Sequence, residues 1–284
     1  MQIKESIKIF LKGLLMGGAD IIPGVSGGTM ALITGIYERF VTSLKNLPKF
    51  LVPLSQRKIK QAWTEFLQID FALFIPLALG IGMAFLAGSY VITYLMDKYP
   101  SYIYAFFFGL ILASIRLVQK RTKEHKITDM LHAILGFVIA FWIVGLPVLK
   151  TAPSHGFIFL CGIIAITAML LPGISGAFML LLLGQYKFML EALHQFKISY
   201  IITFMAGAGI SLIGSSWVLS YFLKKHHGKT MYFLIGLMIG ALRRPFEEVV
   251  YAQGIEWNIL HILLVILFAA IGAVLVIVIG RYDK

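Results

Sequence analysis

Seven stretches of this sequence stay apolar for about as long as a helix needs to cross a bilayer, roughly 20 residues. They occupy about 71–95, 101–118, 129–149, 156–190, 198–223, 230–243 and 258–280. Hydrocarbon offers no partner to a bare backbone amide or carbonyl, so a chain built of such stretches folds as helices or as a closed barrel. Runs of this length, without strict alternation, fit helices. Only 13% of residues are charged, against roughly 25% in soluble domains. The sequence reads as an all-α polytopic membrane protein.

Two places break this pattern in the same way. DIIPGVSGGTM, 20–30, and MLLPGISGAFM, 169–179, each set a proline, glycines and a serine inside apolar sequence. Aligned at an offset of 149, residues 21–44 and 170–193 share nine identities in 24, among them Pro23/Pro172, Gly24/Gly173, Ser26/Ser175, Gly27/Gly176 and Gly35/Gly184. The match resumes at an offset of 127 with Gly80/Gly207, Gly82/Gly209, Gly109/Gly236 and Arg116/Arg243, and at 129 with Leu131-His132 on Leu260-His261. Each copy is thus a broken segment followed by three spans. The first runs over 13–150 with its broken hairpin at about 13–44, the second over 151–284 with its hairpin at about 156–190. Ahead of them, Ile3, Ile7, Phe10 and Leu11 oppose Lys4, Lys8 and Lys12, which predicts an amphipathic helix over 1–12 lying on the membrane.

Lysine and arginine collect on the cytoplasmic side of membrane proteins, and this tests whether the broken segments cross or return. If both return, one side holds 19 of the 25 Lys and Arg; if both cross, the split is 15 to 10. Re-entrant hairpins fit better, with both termini cytoplasmic. Three crossings per copy leave the chain on the opposite face, so the second copy is inverted relative to the first, as in many secondary transporters. The net charge of +12 sits in short loops, which points to orientation and anionic lipid rather than nucleic acid.

Proline suits the first helical position, so Pro23 and Pro172 are expected to start the second limb of each hairpin. The amides that follow, around Gly24 to Gly27 and Gly173 to Gly176, would then point free donors into the membrane interior, with the Ser26, Thr29 and Ser175 hydroxyls beside them. Two such ends facing each other make an anion site, and phosphate is its natural guest. Arg116 and Arg243, matched in the repeat, are candidates to receive the anion at either face, against the plainer reading that they snorkel at the interface. Asp20, matched by Met169, is an acid inside the membrane and a candidate for carrying a coupling proton or cation; the competing readings are a helix cap or a partner for Arg39. Glu38 and Arg39 read as a boundary ion pair, His226 and His227 as part of a solvated basic loop, and the lone Cys161 as packing. His132 and His261, matched in the repeat, have no carboxylate or second histidine three or four residues on, so no metal is expected. No phosphate-binding loop string for ATP occurs either, which leaves passive transport or coupling to a proton or sodium gradient.

The strings GGADIIPGVSGGTMALITGIYERF, 17–40, and LLPGISGAFMLLLLGQY, 170–186, resemble the DUF368 family of bacterial inner-membrane proteins, implicated as undecaprenyl phosphate translocases. That resemblance implies return of the lipid carrier from the outer to the cytoplasmic leaflet for reuse in cell-wall polymer synthesis. It carries over the motif positions Asp20, Pro23, Gly24, Ser26, Gly27, Gly28 and Thr29, with Pro172, Gly173, Ser175 and Gly176. Two other readings stand beside it. The same hairpins would serve a small soluble anion, and the duplicated GxSG string is also that of intramembrane serine proteases, whose chemistry needs a histidine within reach of the serine.

Overall fold

The computed structural model describes residues 2–22, 24–122, 127–251 and 258–282, and Pro23 lies outside them. The described residues form helices and no strands. Helix α1 (Gln2–Asp20) leads to a break, the short α2 (Gly27–Ile33) and then α3 (Tyr37–Asn46). A 3₁₀ turn and two short helices, α4 (Leu51–Ser55) and α5 (Ile59–Leu67), connect to α6 (Phe71–Met83), which continues through a π-helical turn at Ala84–Gly88 into α7 (Ser89–Lys98). Then come α8 (Pro100–Arg121) and α9 (Ile127–Val144). The second half repeats the order with α10 (His155–Leu170), α11 (Gly176–Leu182), α12 (Tyr186–His194), α13 (Ile198–Lys225), α14 (His227–Ala241), α15 (Arg243–Val250) and α16 (Ile259–Tyr282).

Among the described residues, four stretches are long and apolar enough to cross a membrane: Phe71–Gly88, Pro100–Lys120, Ile198–Lys225 and Ile259–Arg281. Apolar but shorter are Thr128–Val144 and His155–Leu170, while α11 and α12 form one apolar segment bent by 111°. Residues 2–20 are one continuous helix, so the amphipathic segment expected over 1–12 and the first limb of the hairpin are a single element. No proline or glycine interrupts residues 2–12, and nothing there stops the helix.

Lipid is as apolar as leucine, so helices in a membrane gain little from hiding hydrocarbon and associate where their backbones approach closely. Each of the four main helix pairs here does so across a pair of glycines. In the α1–α6 pair, a Cβ on Gly13 would strike the Leu77 carbonyl and one on Gly80 the Phe10 carbonyl. Gly162 and Gly207, their matches in the second copy, meet Phe204 and Phe159 in the same manner in the α10–α13 pair. The other two pairs exchange partners between halves: α8 lies along α16 through Gly109 and Gly272, and α9 along α14 through Gly136 and Gly236. These contacts equate Gly136 with Gly272, an offset of 136, and so move the Leu131-His132 match on Leu260-His261 out of register. The sequence match at 129 follows two residues in common; the packing follows the glycines.

The broken segments share their local geometry. Among the described residues, four glycines have positive φ: Gly24 (88°), Gly35 (74°), Gly173 (93°) and Gly184 (69°), two matched pairs. Gly35 and Gly184 end α2 and α11 with the bonds of a helix-terminating glycine: Ile36 N–H donates to Ala31 O at 3.0 Å, and Gln185 N–H to Leu180 O at 2.9 Å. One difference follows α14. Where α8 runs on unbroken, Pro245 removes an amide and crowds the preceding turn, so the chain bends at Leu242 and restarts as α15.

The mouth of the first hairpin lies beside the starts of α6 and α14. Arg39 bonds Asp70 at 2.8 Å and Glu5 at 3.0 Å, and Glu38 bonds His227 at 2.8 Å. Glu38 and Arg39 therefore do not pair with each other or with Asp20; at one boundary each reaches a different helix. The mouth of the second hairpin lies beside the segment after α9, where Leu149 N–H donates to Leu182 O at 2.7 Å and Gln185 Nε2 to Thr151 O at 2.7 Å. Asp70 also caps α6, accepting from Leu73 N–H at 3.1 Å, and the Arg39 guanidinium holds its carboxyl below the ordinary carboxylate range. A depressed folded-state value stabilises at neutral pH, and that contribution disappears as pH falls from the ordinary range through the lowered one. Asp70→Asn keeps the cap and removes the ion pair. The pair is partly exposed, so the variant should lose no more than about 1 kcal/mol at pH 7, and thermal melts should show the gap to wild type closing in acid.

Candidate functional site

The two breaks meet. Tyr37 Oη donates to Leu170 O at 2.8 Å, Ser26 Oγ to Leu171 O at 3.4 Å, and Gly173 N–H to Thr29 Oγ1 at 2.8 Å. A Cβ on Gly28 would lie 3.0 Å from Met169 O, so the start of α2 rests directly on the turn of the second hairpin. Ile22, Val25, Thr29 and Ser26 are buried in this contact.

The limbs begin later than their prolines predict. Ser26 and Ser175 are the N-caps, with extended backbone, and α2 and α11 start at Gly27 and Gly176. Pro172 sits in the turn itself, because the glycine after it takes a positive φ that no helix contains. Nor are most of the motif amides free. Gly27 N–H donates to Asp20 Oδ1 at 2.7 Å, Gly28 N–H to Ser26 Oγ at 3.2 Å, Val25 N–H to Ile22 O at 3.1 Å, and Gly173 N–H is held by Thr29. Burial demands this: an unpaired amide costs about 1–3 kcal/mol, and the protein supplies acceptors where no anion is present. The copies differ at one point. Asp20 caps Gly27, whereas Met169 offers nothing to Gly176, whose amide has no acceptor among the described residues. Asp20 is therefore a cap as well as an intramembrane acid, and its Oδ2, shielded from solvent, has no hydrogen-bond partner there.

The arginines sort differently from the sequence expectation. Arg116 is exposed on α8 and takes no part in the meeting of the hairpins. Arg243 is engaged at the end of α9, where it bonds Glu247 at 2.7 Å and Phe141 O at 3.1 Å and stacks 4.6 Å from the Phe141 ring centre. Arg244 is the cation at the hairpins. Its Cγ packs where a Cβ of Gly24 would stand, 2.8 Å away, and its guanidinium lies 5.5 Å from the ring centre of Phe178 in the first turn of α11. It pairs with Glu248, and its Nε, shielded from solvent, has no acceptor among the described residues. The missed signal was RRPFEE, 243–248: two arginines and two glutamates at helical i, i+4 spacing in apolar sequence.

Over residues 16–259 the sequence matches the family described as VCA0040-like, undecaprenyl phosphate translocase-like. The chain belongs to that family. Among curated relatives, a polyprenyl-phosphate transporter of Vibrio cholerae serotype O1 is 37% identical over 244 residues, covering 85% of this chain and 79% of its own. One of Staphylococcus aureus with the same name is 28% identical over 289 residues, covering 95% of each. No solved structure matches. The matched region of this translocase-like family includes both breaks, the α10–α13 and α9–α14 glycine crossings and the whole of α15. Within it, Ser26 and Ser175 have no histidine partner among the described residues; both hydroxyls serve as caps.

Proposed function

We propose that this protein carries undecaprenyl phosphate from the outer to the cytoplasmic leaflet of a bacterial cytoplasmic membrane, with both termini cytoplasmic and the halves 13–150 and 151–284 inverted about the site. The observation that carries the site is the head-to-head contact of the two breaks with Arg244 against both. A phosphate head crosses hydrocarbon only where the protein replaces its hydration. The hairpins hold that replacement in reserve. Thr29 occupies the Gly173 amide, and Ser26 and Tyr37 occupy the Leu171 and Leu170 carbonyls, so the donors of one copy close against the other. Parting the tips releases amides and hydroxyls together, and phosphate oxygens take the place of the protein's own acceptors. The Gly176 amide has no acceptor among the described residues from the outset. The mouths of the hairpins, one beside the start of α14 and the other beside the end of α9, support access from opposite leaflets. Asp20 is the candidate for coupling to a proton or sodium gradient, because protonation there would change the cap on Gly27.

The test is reconstitution into liposomes holding a polyprenyl phosphate, with phosphate accessibility followed at each leaflet. Wild type should move the lipid, and Ser26→Ala combined with Ser175→Ala should slow it by about tenfold or more, as expected for lost hydrogen bonds to a charged group. Asp20→Asn should flatten the dependence on an imposed gradient. Unchanged transport in the serine variant would remove the hydroxyls from the site. Uptake of free phosphate without lipid movement would favour the soluble-anion reading.

A further inference from the structure

A cavity of about 840 Å³ opens between α9, α10, α13 and α14, and Arg244 is not part of its lining. Its rim at the start of α14 carries Lys229, His226 and His132; its inner wall is Leu170 and Leu171, the backbone that receives Tyr37 and Ser26. Between rim and wall the lining is almost wholly apolar, relieved by one patch where Thr167 Oγ1 lies 2.8 Å from Ser211 and 3.0 Å from Ser215. Its flank reaches Ile210 and Val218, which are 60% and 51% exposed on a surface of apolar side chains. A water-soluble anion has no use for such walls. A chain that is anionic at one end and hydrocarbon beyond it matches them along their length, and the open flank lets the remainder of a long tail stay in the bilayer.

A second cavity, about 210 Å³, lies between α1, α2, α7, α8 and α16. Its lining repeats that of the first at the offsets of the internal repeat: Leu14 for Ile163, Ile22 for Leu171, Ile92 for Leu219 and Phe106 for Phe233. Matched residues thus line a cavity in each half, about 840 Å³ in the second and about 210 Å³ in the first. The rim positions of Lys229 and His226 correspond to Tyr102 and Tyr99 at the same offset.

We propose that the larger cavity binds the head-proximal isoprene units of a prenyl monophosphate, with phosphate held at Lys229, His226 and His132 on its way to or from the breaks at Arg244, and that the smaller cavity is the same site contracted, which widens when the larger one narrows. This rests on the lipid-carrier reading and adds to it a place for the tail.

Glycines supply the probes. A Cβ on Gly214, in the wall of the large cavity, meets nothing within 4 Å, and the same holds for Gly18 in the small one. Farnesyl phosphate binding to the full chain in detergent is measured by calorimetry, beside liposome transport of a polyprenyl phosphate. Gly214→Trp should abolish binding and transport, while Gly209→Trp on the same helix but outside the cavity should do neither. Lys229→Gln, an exposed change without folding risk, should weaken farnesyl phosphate by about tenfold or more, the size of a lost charge-assisted bond, and leave farnesol unaffected. Gly18→Trp, provided it melts as wild type does, should stop transport. Undiminished farnesyl phosphate binding in Gly214→Trp, or equal displacement by phosphatidylglycerol, would overturn the large cavity as the lipid site while transport by wild type kept the carrier reading. Normal transport by Gly18→Trp would overturn the paired arrangement. A wild-type protein that neither binds nor transports would end both readings.

Discussion

Leucine at position 207 should leave little folded protein, whereas leucine at 209, two residues along the same helix, should be tolerated. A Cβ on Gly207 would overlap the Phe159 carbonyl and sit 3.0 Å from its carbon, all of it α10 backbone that cannot swing aside as a side chain does. Gly209 has no neighbour within 4 Å and faces outward. Forcing even one methyl into a packed contact costs about 1–3 kcal/mol, and a leucine must part α10 from α13 altogether. At 209 the substitution removes a glycine from a helix interior, a change worth about 0.5–1 kcal/mol of stabilisation for alanine. Yield and thermal melts in detergent read the contrast, and Gly80 against Gly82 should repeat it in the first half. Equal losses at 207 and 209 would mean that the crossing is not where the helices touch.

Arg244→Gln should reduce lipid transport by about 10- to 100-fold, the effect of removing a charge-assisted phosphate contact of roughly 1.5–3 kcal/mol. Arg116→Gln should change transport little, since Arg116 is exposed and apart from the hairpins. Arg244→Lys should fall between them: it keeps the charge but loses the planar group stacked on Phe178. Glu248→Gln removes the acid that now neutralises Arg244, and tighter phosphate binding is the expected sign. The assay is the same liposome measurement. If Arg116→Gln were the damaging change and Arg244→Gln silent, the site would lie at the helix ends rather than between the breaks.

The two arginines also mark how far the sequence could be read. The breaks, their duplication and the glycines at matched positions were legible because each rests on a local rule: a positive φ needs glycine, and a close crossing needs a missing Cβ. What the repeat could not convey is where the copies differ. Arg243 matched Arg116, and the match drew attention from Arg244, whose counterpart is Leu117. Pro245 ends α14 early in one copy only, and that bend turns Arg244 toward Gly24 and Phe178. Likewise, helix starts are expected to expose amides; a cap is among the sequence readings of Asp20, but the part played by Thr29 could not be seen, because Thr29 and Gly173 are 144 residues apart and meet only once both hairpins are in place.

The exchange of partners between halves bears on how the protein is made. Helix α8 emerges from the ribosome with the glycine face at Gly109 ready, yet the helix that lies on it, α16, is the last of the described elements to be synthesised. Until then α8 must wait in the lipid with a seam unfilled, and α9 waits likewise for α14. A chain arrested after α15 would carry both hairpins and all of the charged cluster and still lack the pin that holds α8. Assembly is therefore a matter of closure rather than accumulation: neither half matures ahead of the other, and the insertion of the final helix is the event that locks the whole.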